Sequence, residues 1–433
     1  MTAASVSNFV LRAHLVWWDD DPFFTGQSAR RSLEDGALAC ASDGRIAWVG
    51  EASALPTEFA DWPVVERRDG MVLPGFVDAH LHFPQTAIIG AYGTDLLAWL
   101  ETYTFPEESR FGDRAHAETI AAVFANELLA VGVTSACVFS TIHPVALEAL
   151  AAAFDQRGMG LLSGKTAMDR NAIPALQDSP QSAYDDAKAL LLDLQPRYER
   201  FGYVVTPRFA ITSTEAQLEL CGALHAEFPE TRMQTHINES AREIATIKEL
   251  FPADESYLAV YDRFGLVTDR SLFAHGIHST PAELERMADA GAAVVHCPTS
   301  NTFLGSGLFN PGDNREAGVA IGLGCDIGGG TAFSPFVTMQ EAYKVARFSD
   351  QSLTADETFY WHTLGNARVM KTDAEAGSFA AGKWADFVVL ESGTDNAVAK
   401  LRMQRVQSVT DQLFAWQFFA PKVETWTRGV QRT

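Results

Sequence analysis

Cysteine is scarce and unpatterned in this chain: Cys40, Cys137, Cys221, Cys297 and Cys325 are all there is, and no two form a C-x-x-C pair. That spacing argues against a structural zinc site and offers no disulfide framework. Positive charge is also short. Lys plus Arg number 33 against 55 for Asp plus Glu, a net charge of −22, which argues against nucleic acid or an anionic membrane as a partner, because both need a cationic surface. Long apolar runs are missing too. The longest apolar region, residues 120–139, contains Asn126 and Glu127 and is interrupted by Gly132, so it reads as a helix followed by a strand, with no membrane span. No segment has the basic start, apolar run and small-residue cleavage site of a secretion signal, and the expected setting is the cytoplasm.

What is present points to a metal-assisted enzyme. His80 and His82 stand in Gly75-Phe-Val-Asp-Ala-His-Leu-His-Phe83, an apolar run ended by Pro84. A two-residue spacing on a strand points both imidazoles the same way, and an abrupt strand end is where an α/β barrel mounts catalytic groups. Matching strand ends recur downstream. Residues 231–239 close on His236, with Glu239 three positions later; residues 271–275 end on His275; residues 318–327 close on Asp326, just before Gly328-Gly-Gly330. An unpaired carboxylate at the end of an apolar strand is costly to bury, and metal coordination offsets that cost. Three neutral nitrogens and one carboxylate suit one divalent ion, zinc first and iron second, with a coordination position left for water.

The organisation agrees. A chain of 433 residues divides naturally into a barrel of roughly 250 to 300 residues and a smaller unit. Strand-like runs at 9–18, 37–49 and 64–72, punctuated by Asp43-Gly44 and Asp69-Gly70, make a small β unit with no helix-length pattern. Eight candidate strands alternating with helices follow, at 75–83, 131–139, 158–165, 203–209, 232–237, 271–275, 292–297 and 319–326, the signature of an α/β fold of (β/α)8 type. Thr280-Pro281-Ala-Glu283 supplies an N-cap, an N1 proline and a capping-box glutamate, and Gly291 ends that helix. Residues 385–390 are strand-like again and can rejoin the N-terminal β unit. The expected division is 1–73 and 371–433 around a barrel at 74–370.

Pro74-Gly-Phe-Val-Asp-Ala-His-Leu-His82 resembles the first-strand motif of the amidohydrolase superfamily. Further segments resemble the guanine deaminase family within it: His82-Phe-Pro-Gln85, Trp99-Leu-Glu-Thr-Tyr-Thr-Phe-Pro-Glu107, Gly164-Lys-Thr-Ala-Met-Asp-Arg-Asn171, Thr206-Pro-Arg-Phe209, His236-Ile-Asn-Glu239, residues 296–307 and Gly324-Cys-Asp-Ile-Gly-Gly-Gly330. They occur in order across most of the barrel. The resemblance implies a metal-bearing barrel with a β-sandwich built from both termini, metal ligands His80, His82, His236 and Asp326, and Glu239 and His275 beside the reacting water. It also implies a homodimer, guanine and water as the reactants, and Gln85, Arg208 and Phe209 as substrate-binding residues.

Chemistry gives those residues work. Asp326 can accept the proton of the attacking water, Glu239 can protonate ring N3 and the departing amine, and His275 can orient the water or stabilise charge. A planar neutral purine needs an aromatic face and fixed polar groups; Phe209 can stack, Arg208 can donate to O6, and Gln85 both donates and accepts. Trp99, Tyr103 and Phe105 read as packing. Gly164-Lys165-Thr166 lacks the first glycine of a phosphate-binding loop, because Met159 stands there. Asn238-Glu-Ser240 overlaps the expected site and reads as a chance glycosylation signal. Cys297-Pro298 reverses the order used by the other zinc deaminases. The alternatives are a hydrolase of another heteroaromatic ring, an oxidised purine or a triazine, and a non-catalytic scaffold relative. The stretch 308–316 departs from the family pattern.

Overall fold

The strands that alternate with helices close on one another in the computed structural model, which describes residues 7–93, 95–393 and 396–433. In chain order they are Phe76–His82, Val133–Phe139, Gly160–Gly164, Phe201–Pro207, Arg232–Ile237, Ser271–His275, Ala293–His296 and Ala320–Leu323. Each lies parallel to the next. The last strand returns to the first through the Asp326 N–H, which donates to His80 O at 2.9 Å, and the His82 N–H, which donates to Ile327 O at 2.7 Å. Asp78 reinforces this seam. Its fully buried carboxylate accepts the N–H groups of His80 at 3.1 Å and Cys325 at 3.2 Å, and burial pushes its pKa up to about 6.

Strands covered on both faces are apolar throughout, and the two faces here bury different cores. Val77, Ala79, Cys137, Leu162, Val204 and Leu272 belong to the packing inside the barrel. Phe76 and Leu81 belong to the outer core, beneath the helices. Val77 and Ala79 therefore share one face, whereas Leu81 joins the other with Phe76. The register explains the switch: Asp78 pairs with Ala136 and Leu81 with Val138, so the first strand carries one extra residue. This β-bulge re-phases the strand just before its histidines.

The helix signals act as read. Thr280 caps Pro281–Ala290 in a capping box with Glu283, and Gly291 ends it at φ 71°. Residues 120–139 divide into the end of helix Arg114–Ala130 and strand Val133–Phe139. Gly132 makes that corner at φ 91°, where a Cβ would meet Val388 at 2.8 Å. Among the described residues no helix is long and apolar enough to cross a membrane.

Both ends of the chain build a separate seven-stranded sheet. Phe9–Trp18, Arg30–Cys40, Ile46–Glu51 and Val64–Pro74 come from the N-terminal side; Phe387–Glu391, Lys422–Thr427 and Val430–Gln431 come from the C-terminal side. Two sequence expectations need correction here. The run 37–49 is two antiparallel strands folded back at Asp43-Gly44. Asp69-Gly70 makes no turn; it lies inside Val64–Pro74, where the pairing jumps from Arg67 to Met71, because a bulge absorbs extra residues without ending a strand. Alternation again sorts the faces. Phe387 and Val389 enter the core of the sheet, while Val388 and Leu390 pack with the barrel core. The buried pair of Arg200 with Asp386 ties the two units.

Candidate active site

The carboxyl ends of the strands gather the predicted side chains around one cleft of about 370 Å³. His82, Gln85, Arg208, Phe209, His236, Glu239, His275 and Asp326 all line it. Backbone geometry turns them inward: Asn238, His275 and Asp326 have φ of 49°, 73° and 50°, a left-handed conformation uncommon for residues with side chains and concentrated at functional sites. The glycine run after Asp326 serves close approach. Gly329 borders the cleft, and a Cβ on Gly330 would lie 1.7 Å from Cys325 O.

Ligand-type atoms converge within this cleft. Donor atoms of His80, His82 and His236 lie within 4.8 Å of one another. Asp326 Oδ1 is 3.2 Å from His80 Nε2 and 3.4 Å from His82 Nε2. His236 Nδ1 faces the Arg208 carbonyl at 2.6 Å; a carbonyl only accepts, so Nδ1 carries the proton and Nε2 keeps its lone pair. That lone pair points at His82 Nε2, 3.1 Å away, while His80 Nε2 is buried without an aligned hydrogen-bond partner. Nitrogens crowded in this way fit a divalent cation. Titration agrees: burial, only partly opposed by Asp326, pushes His82 down to about 3, and burial with the neighbouring imidazoles holds His236 well below 6.5. Both stay neutral and ready to coordinate. Burial would raise the Asp326 carboxyl, but the adjacent imidazoles, His80 first and then His82 and His275, hold it well below the usual range. Cys297 also lies within reach, yet burial and then Asp326 push its thiol well above the ordinary value.

Beside these donor atoms lie Glu239 and His275. Glu239 Oε2 is 3.4 Å from His275 Nε2, and Glu239 Oε1 accepts from Ser306 at 3.1 Å. Burial, followed by the charge of Asp326, pushes the Glu239 carboxyl up to about 8, so it holds its proton near neutrality. His275 Nδ1 faces Asn301 Oδ1 at 2.8 Å, which puts the proton on Nδ1 and aims the Nε2 lone pair at Glu239. The turn is braced by a capping box: Glu243 accepts the Glu239 N–H at 2.8 Å, and Ser240 caps helix Ala241–Leu250.

Sequence reasoning passed over several participants. Glu108 is fully buried between Gln85 and Arg208; an acid beside the aromatic stretch of residues 99–107 was its only signal. Asn301 and Ser306 lie within residues 296–307, where nothing in the sequence sets them apart from their neighbours. Trp99 borders the cleft, as do Leu96 and Leu100, whereas Phe105 packs beneath Arg208 with its ring 5.7 Å from the guanidinium. The stretch 308–316 does not line the cleft; Phe309 stacks on His296 at 4.4 Å instead. Lys165 is buried against Asp178, which leaves no phosphate cradle. Asn238 is buried with its amide on Ser279, so it is no glycan acceptor.

A parallel barrel presenting imidazoles and a carboxylate at its strand ends, within reach of one ion, defines a metal-dependent hydrolase. The amidohydrolase family profile matches residues 71–426. The chain belongs to that family. A guanine deaminase of Escherichia coli is 40% identical over 388 residues, covering 89% of this chain and 88% of its own length. Among solved structures, guanine deaminase from Bradyrhizobium japonicum superposes with a TM-score of 0.95 at 32% identity over 99% of both chains. That from C. acetobutylicum, solved with bound guanine in the active site, gives 0.89 at 26% identity, over 99% of this chain and 100% of its own.

Proposed function

We propose that this enzyme hydrolyses guanine to xanthine and ammonia, with zinc as the ion held by His80, His82, His236 and Asp326. The observation that carries the reading is one cleft lined both by ligand and proton-handling groups and by Gln85, Arg208 and Phe209. When bound, the ion acidifies a water molecule so that it can attack near neutral pH. Asp326 accepts the proton of that water, and the oxygen bonds to C2 of the purine. Glu239 delivers its proton to N3, which takes up the displaced electron pair. The C2–N bond then breaks as the amine leaves as ammonia with the C2 hydroxyl proton, relayed through the ionised Glu239; C2 keeps the oxygen as a carbonyl, and the water proton held by Asp326 restores Glu239. His275, whose Nε2 lone pair faces the cleft, accepts a hydrogen bond from the attacking water and orients it. Arg208 donates to O6, Gln85 meets the polar edge, and Phe209 covers a ring face.

The test is ammonia release from guanine, adenine, cytosine and a chlorinated triazine by metal-replete enzyme. Turnover of guanine above the other three is expected; no turnover of guanine sinks the assignment. A homodimer belongs to the same proposal on the strength of the family likeness, and a cytoplasmic setting on that of the unpatterned cysteines; light scattering coupled to size exclusion checks the former.

A further inference from the structure

Glu108 ends the short helix Phe105–Glu108 and is fully buried behind the purine-facing wall. Its Oε1 accepts from Gln85 Nε2 at 2.9 Å and from Arg208 NH1 at 2.8 Å; its Oε2 accepts from the same NH1 at 2.7 Å. Both partners line the cleft, and Glu108 does not. Gln85 is fixed at its other end as well, because its Oε1 accepts the Gly328 N–H at 3.0 Å. A flipped amide would aim N–H at N–H and oxygen at carboxylate, so the polarity of Gln85 is set by Glu108 on one side and by Gly328 on the other. Arg208 makes no other side-chain hydrogen bond among the described residues, which leaves its remaining N–H groups for a ligand, while the charge of the guanidinium is already matched by Glu108.

We infer that Glu108 is a positioning residue that makes the purine-facing wall electrically neutral and fixed in polarity, so that the cleft takes a neutral oxopurine and does not retain an anionic one. This rests on the proposed deamination of guanine. The product gains a second ring carbonyl at C2, which makes it a stronger acid than the substrate and partly anionic near neutral pH. An unmatched guanidinium in a buried cleft would hold that anion, since a charge pair shielded from water is far stronger than one in solvent. Matched by Glu108, Arg208 offers donors without surplus charge, and product release is eased.

The experiment compares the wild type with Glu108→Gln, measuring KM and kcat for guanine and competitive inhibition by xanthine from pH 6 to 9. In the wild type, inhibition by xanthine should weaken as pH rises and the product ionises. In Glu108→Gln, xanthine should bind about tenfold tighter or more, with inhibition strengthening as pH rises, and KM for guanine should increase more than kcat falls. A purely structural role would weaken guanine and xanthine alike with no change in pH trend, and that result overturns the inference. Should Glu108→Gln fail to fold, Glu108→Asp takes its place: with the countercharge kept but its reach shortened, KM for guanine should rise while xanthine inhibition still weakens as pH rises, and an unchanged KM or inhibition that strengthens with pH overturns the inference. A wild type that turns over guanine while Glu108→Gln leaves xanthine affinity unchanged rejects the role of Glu108 only; a wild type inert toward guanine rejects the reaction itself.

Discussion

Replacing Glu239 by Gln removes one exchangeable proton and almost nothing else. The amide keeps the volume, and its oxygen can still accept from Ser306, as Oε1 does at 3.1 Å. The turn is held by Glu243 on the Glu239 N–H and does not depend on the side chain. Glu239 is outside the proposed ligand set, so metal content should stay at wild-type level. What is lost is a buried carboxyl whose pKa burial and Asp326 raise to about 8, and with it the proposed donor for N3 and for the departing amine. General acid–base contributions run at about 10²–10⁴ in rate, or roughly 2.7–5.5 kcal/mol of barrier. The expected kcat for ammonia release is therefore about 100-fold or more below wild type. Stability should move the other way. A carboxyl raised from 4.5 to about 8 by folding is deprotonated first in the unfolded chain, so the folded state loses stability as pH rises across that window. Gln carries no such penalty, and the Tm of Glu239→Gln at pH 7 should match or exceed that of the wild type. Steady-state ammonia release, metal analysis and thermal melts on the same preparations test this. A kcat within tenfold of wild type in a folded, metal-loaded variant would refute the role of Glu239.

Arg208→Ala should weaken selectivity for guanine in competition against adenine, and should also cost about 3–5 kcal/mol of stability because Glu108 is left buried without its partner; a Tm equal to wild type contradicts the pairing argument. His236→Ala should lower bound metal well below one ion per chain by mass spectrometry, and chelation of the wild type should abolish ammonia release until zinc is restored; full metal content in the variant rejects His236 as a ligand. Acid should loosen the fold through histidines outside the cleft: burial pushes both His225 and His362 from 6.5 down to about 4. The unfolded chain then binds the extra protons between those values, so stability is full above pH 6.5 and is lost at about 1.4 kcal/mol per pH unit for each histidine as pH falls toward 4. Circular-dichroism melts at constant ionic strength read this directly, and a flat Tm across the window rejects it.

Much of the barrel was legible because its signals are local. A capping box spans three residues, so Thr280 with Glu283 marks a helix start before any tertiary contact is known. The β unit was less legible, since a bulge leaves no local mark; Asp69-Gly70 looks the same in sequence whether a strand turns or swells there. Glu108 escaped for a related reason. Its partners lie 23 and 100 residues away, and nothing near it in sequence separates an anchoring acid from a solvated one.

The sequence by itself determined which chemistries were available: co-facing histidines two residues apart, further strand ends in His and Asp, and too little cysteine or positive charge for competing readings. Only the tertiary structure decided how those groups meet. The bulge before His80 sets which face of the strand the histidines share, and Asp78 closes the ring through Cys325, 247 residues along the chain. The physical reason is one of range. Strand and helix periodicities act over a few residues, whereas the electrostatics of a buried site depend on which distant groups the closed barrel forces into a few ångströms of one another.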